Sequence, residues 1–436
     1  MKHKRLYHFV VAVVLIVVAG GLSVLLGVFR DSSLTPDLKT ALSAVQMQAL
    51  VPRGQELERA ADCFGCHSLP EGPMAAGGVA IETPFGTLHS TNITPGPTYG
   101  IGKYSRADFH RVMKYGVAPG HRNLYPAMPF LFTQVTTPDD IDALYAYLMT
   151  IPPIALPNKR NSAIFRLPVR PFVNFWALLN FPKREAPQND RRSAVWNRGA
   201  YLVEGLAHCG GCHTPLNLMM APDFARNLQG GILEGMVAPD ITQPMLTRQG
   251  FDIRALSQYL KTGIARQGTS FADMNTVTHF STNVMSDDDI RAIATYLLTD
   301  KDGNIPAAKP ALQVLPQAVT LPRDSTMDEG RMAYISACAG CHGLKGEGTP
   351  NVAPAMKGNG IVALDRPNAL INTILNGIAT QTFTNGQRMY AMPSFSDTMD
   401  ESEIAALVSW MRAQWGGQGG HPVTGGEVKA FQRSVR

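Results

Sequence analysis

Three stretches decide the reading of this chain: Cys63-Phe64-Gly65-Cys66-His67, Cys209-Gly210-Gly211-Cys212-His213 and Cys338-Ala339-Gly340-Cys341-His342. Each is C-x-x-C-H, and together they use all 6 cysteines. The spacing has a chemical reason. Two thiols three positions apart on one helical turn can each bond a vinyl group of the same porphyrin, and the following histidine then lies under the iron as a nitrogen ligand. One such pattern could be chance or a fragment of a zinc site. Three of them, with no cysteine left over and every pair closed by His, point to three covalent haems c rather than to structural zinc or disulfides.

The 436 residues suffice for about three domains, and the three motifs give the same count independently. Each repeat can hold a small, mostly helical domain wrapped round one porphyrin, which itself fills much of the core. With 17% charged residues, 40 glycines and 31 prolines, the composition suits short helices joined by long loops. The net charge of +5 comes without a basic run interleaved with aromatics, so nucleic acid is not an expected partner.

Attachment of haem to thiols requires export, and paired cysteines tolerate an oxidising compartment. The N-terminus agrees. Lys2, Lys4 and Arg5, in a basic segment 1–8, precede an uncharged run over 9–29 long enough to cross roughly 30 Å of hydrocarbon as a helix. The positive end is expected to stay cytoplasmic, placing the rest on the periplasmic side of the inner membrane. A cleaved signal peptide is the rival reading, with Ala19-Gly20-Gly21 the candidate cleavage region.

The first repeat is expected over 41–152. A helix from Pro52 to Ala60 leads into the motif, a second carrying Phe109, Val112 and Met113 ends at Gly116, and a third over Asp139–Leu148 closes the repeat with acidic residues at its start. The second repeat, 190–303, copies this plan with Arg198–Val203, Leu256–Gly263 and Asp287–Leu297. The third, 324–415, does so with Glu329–Tyr334, Leu370–Gly377 and Glu401–Met411. Such parallels mark internal duplication. The Gly-rich segment 416–436 reads as a flexible tail.

An iron held by one His needs a second axial ligand or an open site. The same 61-residue interval separates His67 from Met128 and His213 from Met274, which favours Met274 over Met285. Met392, 50 residues beyond His342, repeats the Met-Pro pair of Met128-Pro129. With 19 methionines in the chain, core packing is the alternative role for each. Histidines are the alternative ligands: His89, His110 or His121 for the first iron, His208 or His279 for the second. No histidine lies between His342 and His421, so the third iron lacks a bis-His option. Uniform repeats then place those five histidines at the solvent or on haem propionates. Three His/Met irons leave no open site, which suits electron carriage rather than oxygen or peroxide chemistry.

The segment 153–189 contains Ile164–Phe181, rich in aromatic and aliphatic residues and edged by Lys159, Arg160, Lys183 and Arg184. It is too short and too broken by Pro and Arg to span a bilayer. It can lie in the membrane interface, lining an approach for quinone, or pack against another domain or subunit.

With these features in hand, the chain resembles the triheme cytochrome c subunits of membrane-bound periplasmic dehydrogenases acting on alcohol, aldehyde, gluconate, fructose or sorbitol in acetic acid bacteria. The resemblance rests on Gly199-Ala200-Tyr201-Leu202-Val203, His208 to Pro215, Tyr125-Pro126-Ala127-Met128-Pro129 and Tyr390-Ala391-Met392-Pro393. It implies an all-α fold of three tandem class I cytochrome c-like domains behind the N-terminal helix, and it supports Met274 as a ligand. It also implies a separate catalytic subunit carrying PQQ, flavin or molybdopterin with a small iron–sulfur subunit, and ubiquinone as acceptor. The alternatives are a cytochrome c subunit of a terminal oxidase or other respiratory complex, and a haem peroxidase-like enzyme.

Overall fold

The computed structural model describes residues 18–27, 36–185, 187–233, 236–307, 325–416 and 421–434. In the first repeat, α1 (Ala44–Ala61) leads into α2 (Cys63–His67), α3 (Arg106–Tyr115) is the middle helix and α4 (Pro138–Leu148) closes. Between repeats lies α5 (Phe172–Asn180). The second repeat runs α6 (Ala194–Tyr201), α7 (Gly210–His213), α8 (Ile253–Thr262) and α9 (Asp287–Leu298). The third runs α10 (Ser325–Ala337), α11 (Ala339–His342), α12 (Asn368–Asn376) and α13 (Glu401–Trp415), followed by α14 (Gly425–Ser434).

The chain divides into two compact units. The first takes Met1–Glu58, Cys66–Ala186 and Leu218–Ala221; the second takes Arg59–Gly65, Pro187–Asn217 and Pro222–Arg436. Within the second unit, two apolar cores are separate. One gathers Ala60 with Leu202, Leu256, Ile290 and Ile293, and the other gathers Tyr334, Ile371, Ile404, Leu407 and Val428.

In every repeat the lead helix crosses the closing helix through a glycine. A Cβ on Gly54 would collide with the Ala143 carbonyl and the Tyr147 side chain. On Gly199 it would meet the Ala292 carbonyl and Tyr296, and on Gly330 the Ala406 carbonyl and Trp410. The register of these contacts is identical in the three repeats, so the backbones touch where only hydrogen fits. An arginine before the glycine reinforces two of the crossings. Arg53 grips Asp140 at 3.0 and 3.3 Å, and Arg198 grips Asp289 at 2.7 and 2.8 Å. The third repeat puts Glu329 and Glu403 at these places; Glu403 instead closes a capping box with Asp400. The closing helices start as expected, capped by Thr137, Ser286 and Asp400 with acidic first turns.

Several expectations need correction. Helix α1 starts at Ala44, eight residues before Pro52, because Ser43 and Gln46 form a capping box upstream: the Ser43 amide donates to the Gln46 side chain at 2.9 Å. Pro52 lies inside the helix and forfeits one backbone hydrogen bond there. The fold is not purely helical, since five two-stranded antiparallel ladders are present among the described residues, most of them built on short Gly-containing turns. The segment 416–436 is not a free tail over its described part. Val423, Val428 and Phe431 are buried against α13, and the Ser409 hydroxyl accepts from the Val423 amide at 2.7 Å. The apolar spacing of Val428 and Phe431 gives α14 a face to bury despite the glycines before it.

His110 is fully buried rather than solvent-facing. Its Nε2 lies 2.8 Å from Asp142, whose carboxylate also accepts from Arg106 at 2.7 Å. Burial pushes the Asp142 carboxyl up, but Arg106 and His110 outweigh it and hold it below the ordinary carboxylate value. A depressed carboxyl stabilises the fold above its unfolded pKa, and the contribution disappears as pH falls through the folded value.

Two outcomes are expected. Gly199→Ala and Gly330→Ala should each destabilise their repeat by about 1–3 kcal/mol through overpacking, read as a lowered thermal midpoint of the intact protein. Asp142→Asn should cost about 3–5 kcal/mol by stranding Arg106, and should flatten the acid limb of the stability profile, measured by denaturant titration between pH 2 and 6.

Candidate haem sites

The three motifs sit in equivalent surroundings. The first cysteine of each pair (Cys63, Cys209, Cys338) is half-buried and the second (Cys66, Cys212, Cys341) is exposed. Each lies on a single helical turn that ends at the histidine. The imidazoles are tethered alike. His67 Nδ1 is 2.6 Å from the Thr91 carbonyl, His213 Nδ1 2.7 Å from Pro239, and His342 Nδ1 2.8 Å from Pro354. A carbonyl only accepts, so each Nδ1 carries the proton and each Nε2 presents its lone pair. Burial pushes all three imidazoles below the ordinary histidine value, against the pull of these carbonyls. A neutral ring with Nδ1–H fixed and Nε2 available is what an axial ligand requires. Thiols, tautomer and spacing therefore fit a haem c at each motif; once bound, it would supply one-electron chemistry.

Sequence reasoning missed these carbonyl anchors, although a signal exists. Thr91 is followed by Asn92-Ile93-Thr94 and Pro239 by Asp240-Ile241-Thr242. In both, the Asx side chain turns back onto the threonine: Thr94 donates to Asn92 at 2.7 Å from its hydroxyl and 2.9 Å from its amide, and Thr242 to Asp240 at 2.6 and 2.8 Å. The turn fixes the direction of the carbonyl just before it. The third repeat has Ala355-Met356-Lys357 after Pro354 and reaches the same contact without the turn.

The three candidate methionine ligands are half-buried and lie on segments tied to the middle helices. Helices α3 and α8 end at Gly116 and Gly263, both left-handed. The Gly116 carbonyl accepts from Leu124 at 2.8 Å, four residues before Met128. The Gly263 carbonyl accepts from Ser270 at 2.7 Å, four residues before Met274. In the third repeat Met392 itself pairs with Ile378, next to Gly377 after α12, through backbone bonds of 2.8 and 2.9 Å. Met285, the alternative to Met274, is buried in the core that holds Leu202, Leu256 and Ile290, with its sulfur 3.9 Å from the Ser281 hydroxyl.

Of the alternative histidines, His110 is committed to Asp142, and His208 is half-buried with Nε2 3.3 Å from the Ala61 carbonyl. His121 and His279 are exposed, and His89 is half-buried in a short ladder opposite Ala80. Among the described residues no helix is long and apolar enough to cross a membrane. The expected span 9–29 lies outside the described residues except for 18–27, which are helical over 18–25.

Comparison with known proteins adds the following. The cytochrome c family model matches residues 51–152, and that of cytochrome c oxidase, cbb3-type, subunit III matches residues 325–411. The chain is 33% identical over 401 residues to the cytochrome c subunit of alcohol dehydrogenase (quinone) of Gluconacetobacter polyoxogenes, covering 87% of this chain and 83% of that one. It is 35% identical over 402 residues to the gluconate 2-dehydrogenase cytochrome c subunit of Pantoea cypripedii, covering 88% and 90%. It is also 36% identical over 368 residues to a nicotinate dehydrogenase subunit of Pseudomonas putida, covering 84% of this chain but only 30% of that longer relative.

Proposed function

Because the chain belongs to the family of cytochrome c subunits of dehydrogenase complexes, and is an electron-transfer subunit rather than a catalytic one, we propose that it carries three haems c and passes electrons from its catalytic partner to ubiquinone. The observation that carries this reading is the threefold recurrence of one site: a C-x-x-C-H turn whose imidazole is locked by a backbone carbonyl at 2.6–2.8 Å. Met128, Met274 and Met392 would supply the second protein ligand to each iron. Supporting this, Leu124 and Ser270 place Met128 and Met274 alike relative to their middle helices. The partner's cofactor would be PQQ, flavin, or molybdopterin with an iron–sulfur subunit. The quinone assignment is supported by the alcohol dehydrogenase relative, which is named for quinone.

Attachment to the periplasmic face of the inner membrane belongs to the same proposal. It is supported by the uncharged run 9–29 and by α5, which exposes Phe172, Phe175, Leu178 and Leu179. Two contacts within the first unit extend that apolar face. Asn174 donates to the Leu25 carbonyl at 2.9 Å, and the Trp176 indole donates to the Met219 carbonyl at 2.8 Å beside exposed Leu218 and Met220. Such a face, flanked in sequence by Lys159, Arg160, Lys183 and Arg184, suits an anionic interface.

A second reading, a subunit of a terminal oxidase, draws on the cbb3-type match. That match is confined to 325–411, whereas the dehydrogenase relatives cover more than four-fifths of the chain.

A pyridine haemochrome assay should give three haems c per chain, and carbon monoxide should bind none of them rapidly in the reduced protein. Met274→Ala should open one carbon monoxide site while Met285→Ala opens none; the reverse result would reassign the ligand. Replacing Phe175 and Trp176 together by Ser should slow quinone reduction by the assembled complex while leaving the haem count at three; unchanged turnover would remove α5 from the quinone path.

A further inference from the structure

The second repeat contains a buried acid that the electron-transfer reading does not use. Glu204 lies on the π-helical turn Leu202–Leu206, five residues ahead of Cys209, and is 7% exposed. Its Oε1 accepts from the Tyr296 hydroxyl at 2.8 Å, and its two oxygens accept from the Asn227 amide at 2.8 and 3.0 Å. Tyr296 belongs to α9, at the helix crossing. Asn227 in turn accepts from the Thr214 hydroxyl at 2.9 Å, and Thr214 directly follows His213. The carboxylate is therefore linked to both ends of the second motif: along the backbone to Cys209, and through Asn227 and Thr214 to His213. Tyr296 and Asn227 are neutral donors that hold the carboxylate in place. Its field reaches the motif. The Cys209 thiol is pushed up to about 12, by burial first and by Glu204 second.

The arrangement is not shared by all repeats. Five residues ahead of Cys338 stands Ala333, and Trp410 takes the place of Tyr296 on the closing helix. The first repeat has buried Glu58 five residues ahead of Cys63.

We propose that Glu204 is a potential-setting residue: its buried negative charge favours the oxidised, more positive state of the centre held by Cys209, Cys212 and His213, and so lowers that centre's reduction potential. The third centre, with Ala333 and Trp410, lacks this bias. The effect rests on the reading that the second motif holds a haem. It is electrostatic, exerted through space and not by ligation. A unit charge in a protein interior at such range changes a one-electron reduction equilibrium by about tenfold, or about 59 mV.

The test is a spectroelectrochemical titration of the full-length protein and its Glu204→Gln, Glu204→Asp and Glu204→Leu variants, each with a pyridine haemochrome count. Glu204→Gln should raise one of three midpoints by about that amount and leave the other two in place. Glu204→Asp keeps the carboxylate and should leave all three midpoints in place. A role confined to packing predicts that the shorter Asp disturbs the centre at least as much as the isosteric Gln. Three haems with unmoved midpoints in Glu204→Gln would overturn the proposal while leaving the three-haem reading intact; fewer than three haems in the parent protein would overturn that reading instead. Should Glu204→Gln fail to retain its haems, Glu204→Leu decides: one raised midpoint among three haems supports the proposal and three unmoved ones refute it.

Discussion

A glycine pressed against a carbonyl is the contact on which each repeat depends. At Gly54, Gly199 and Gly330 the lead helix approaches the closing helix so closely that no side chain fits between them. Close approach fixes the distance between the helices, and the identical register fixes their rotation. The end of the lead helix is thereby held where the two thiols must emerge. Arg53–Asp140 and Arg198–Asp289 sit beside the contact as bidentate pairs, but they are accessory. The third repeat dispenses with the pair and keeps the glycine.

From that crossing the site follows in short steps. The motif turn projects its histidine towards a loop whose backbone has been aimed, in two repeats by an Asx turn, to receive Nδ1–H. The middle helix ends on a glycine, and the strand paired to that end carries the methionine segment. The thiol pair, the imidazole tether and the methionine segment thus come from three different parts of each repeat, all referred to one helix pair.

Much of this was legible in the sequence because it is written in side chains. The C-x-x-C-H triplets, the acidic starts of the closing helices and the glycine ends of α3, α8 and α12 all carry their reason in residue type. What escaped was written in the backbone or in long-range partnership. A carbonyl from Thr91, Pro239 or Pro354 has no residue signature of its own. His110 reads as a surface histidine until Asp142 and Arg106 close round it. Pro52 reads as a helix start, yet Ser43 and Gln46 had already supplied one. Helix α14 was hidden by the glycines before it, although Val428 and Phe431 mark its buried face.

The stretch between the crossing glycine and the first cysteine differs in length among the repeats. Gly330 reaches Cys338 by continuous helix; Gly54 reaches Cys63 with one residue more, Gly199 reaches Cys209 with two. The surplus is taken up locally. Asp62 adopts a left-handed conformation in the first repeat, while the second adds the π-helical turn to a left-handed His208. Both ends of the stretch keep their partners throughout. Insertions here are absorbed as coils of slack without displacing the anchors on either side, so this is where the three copies have been free to diverge in length while the carbonyl tether on each imidazole stayed common to all.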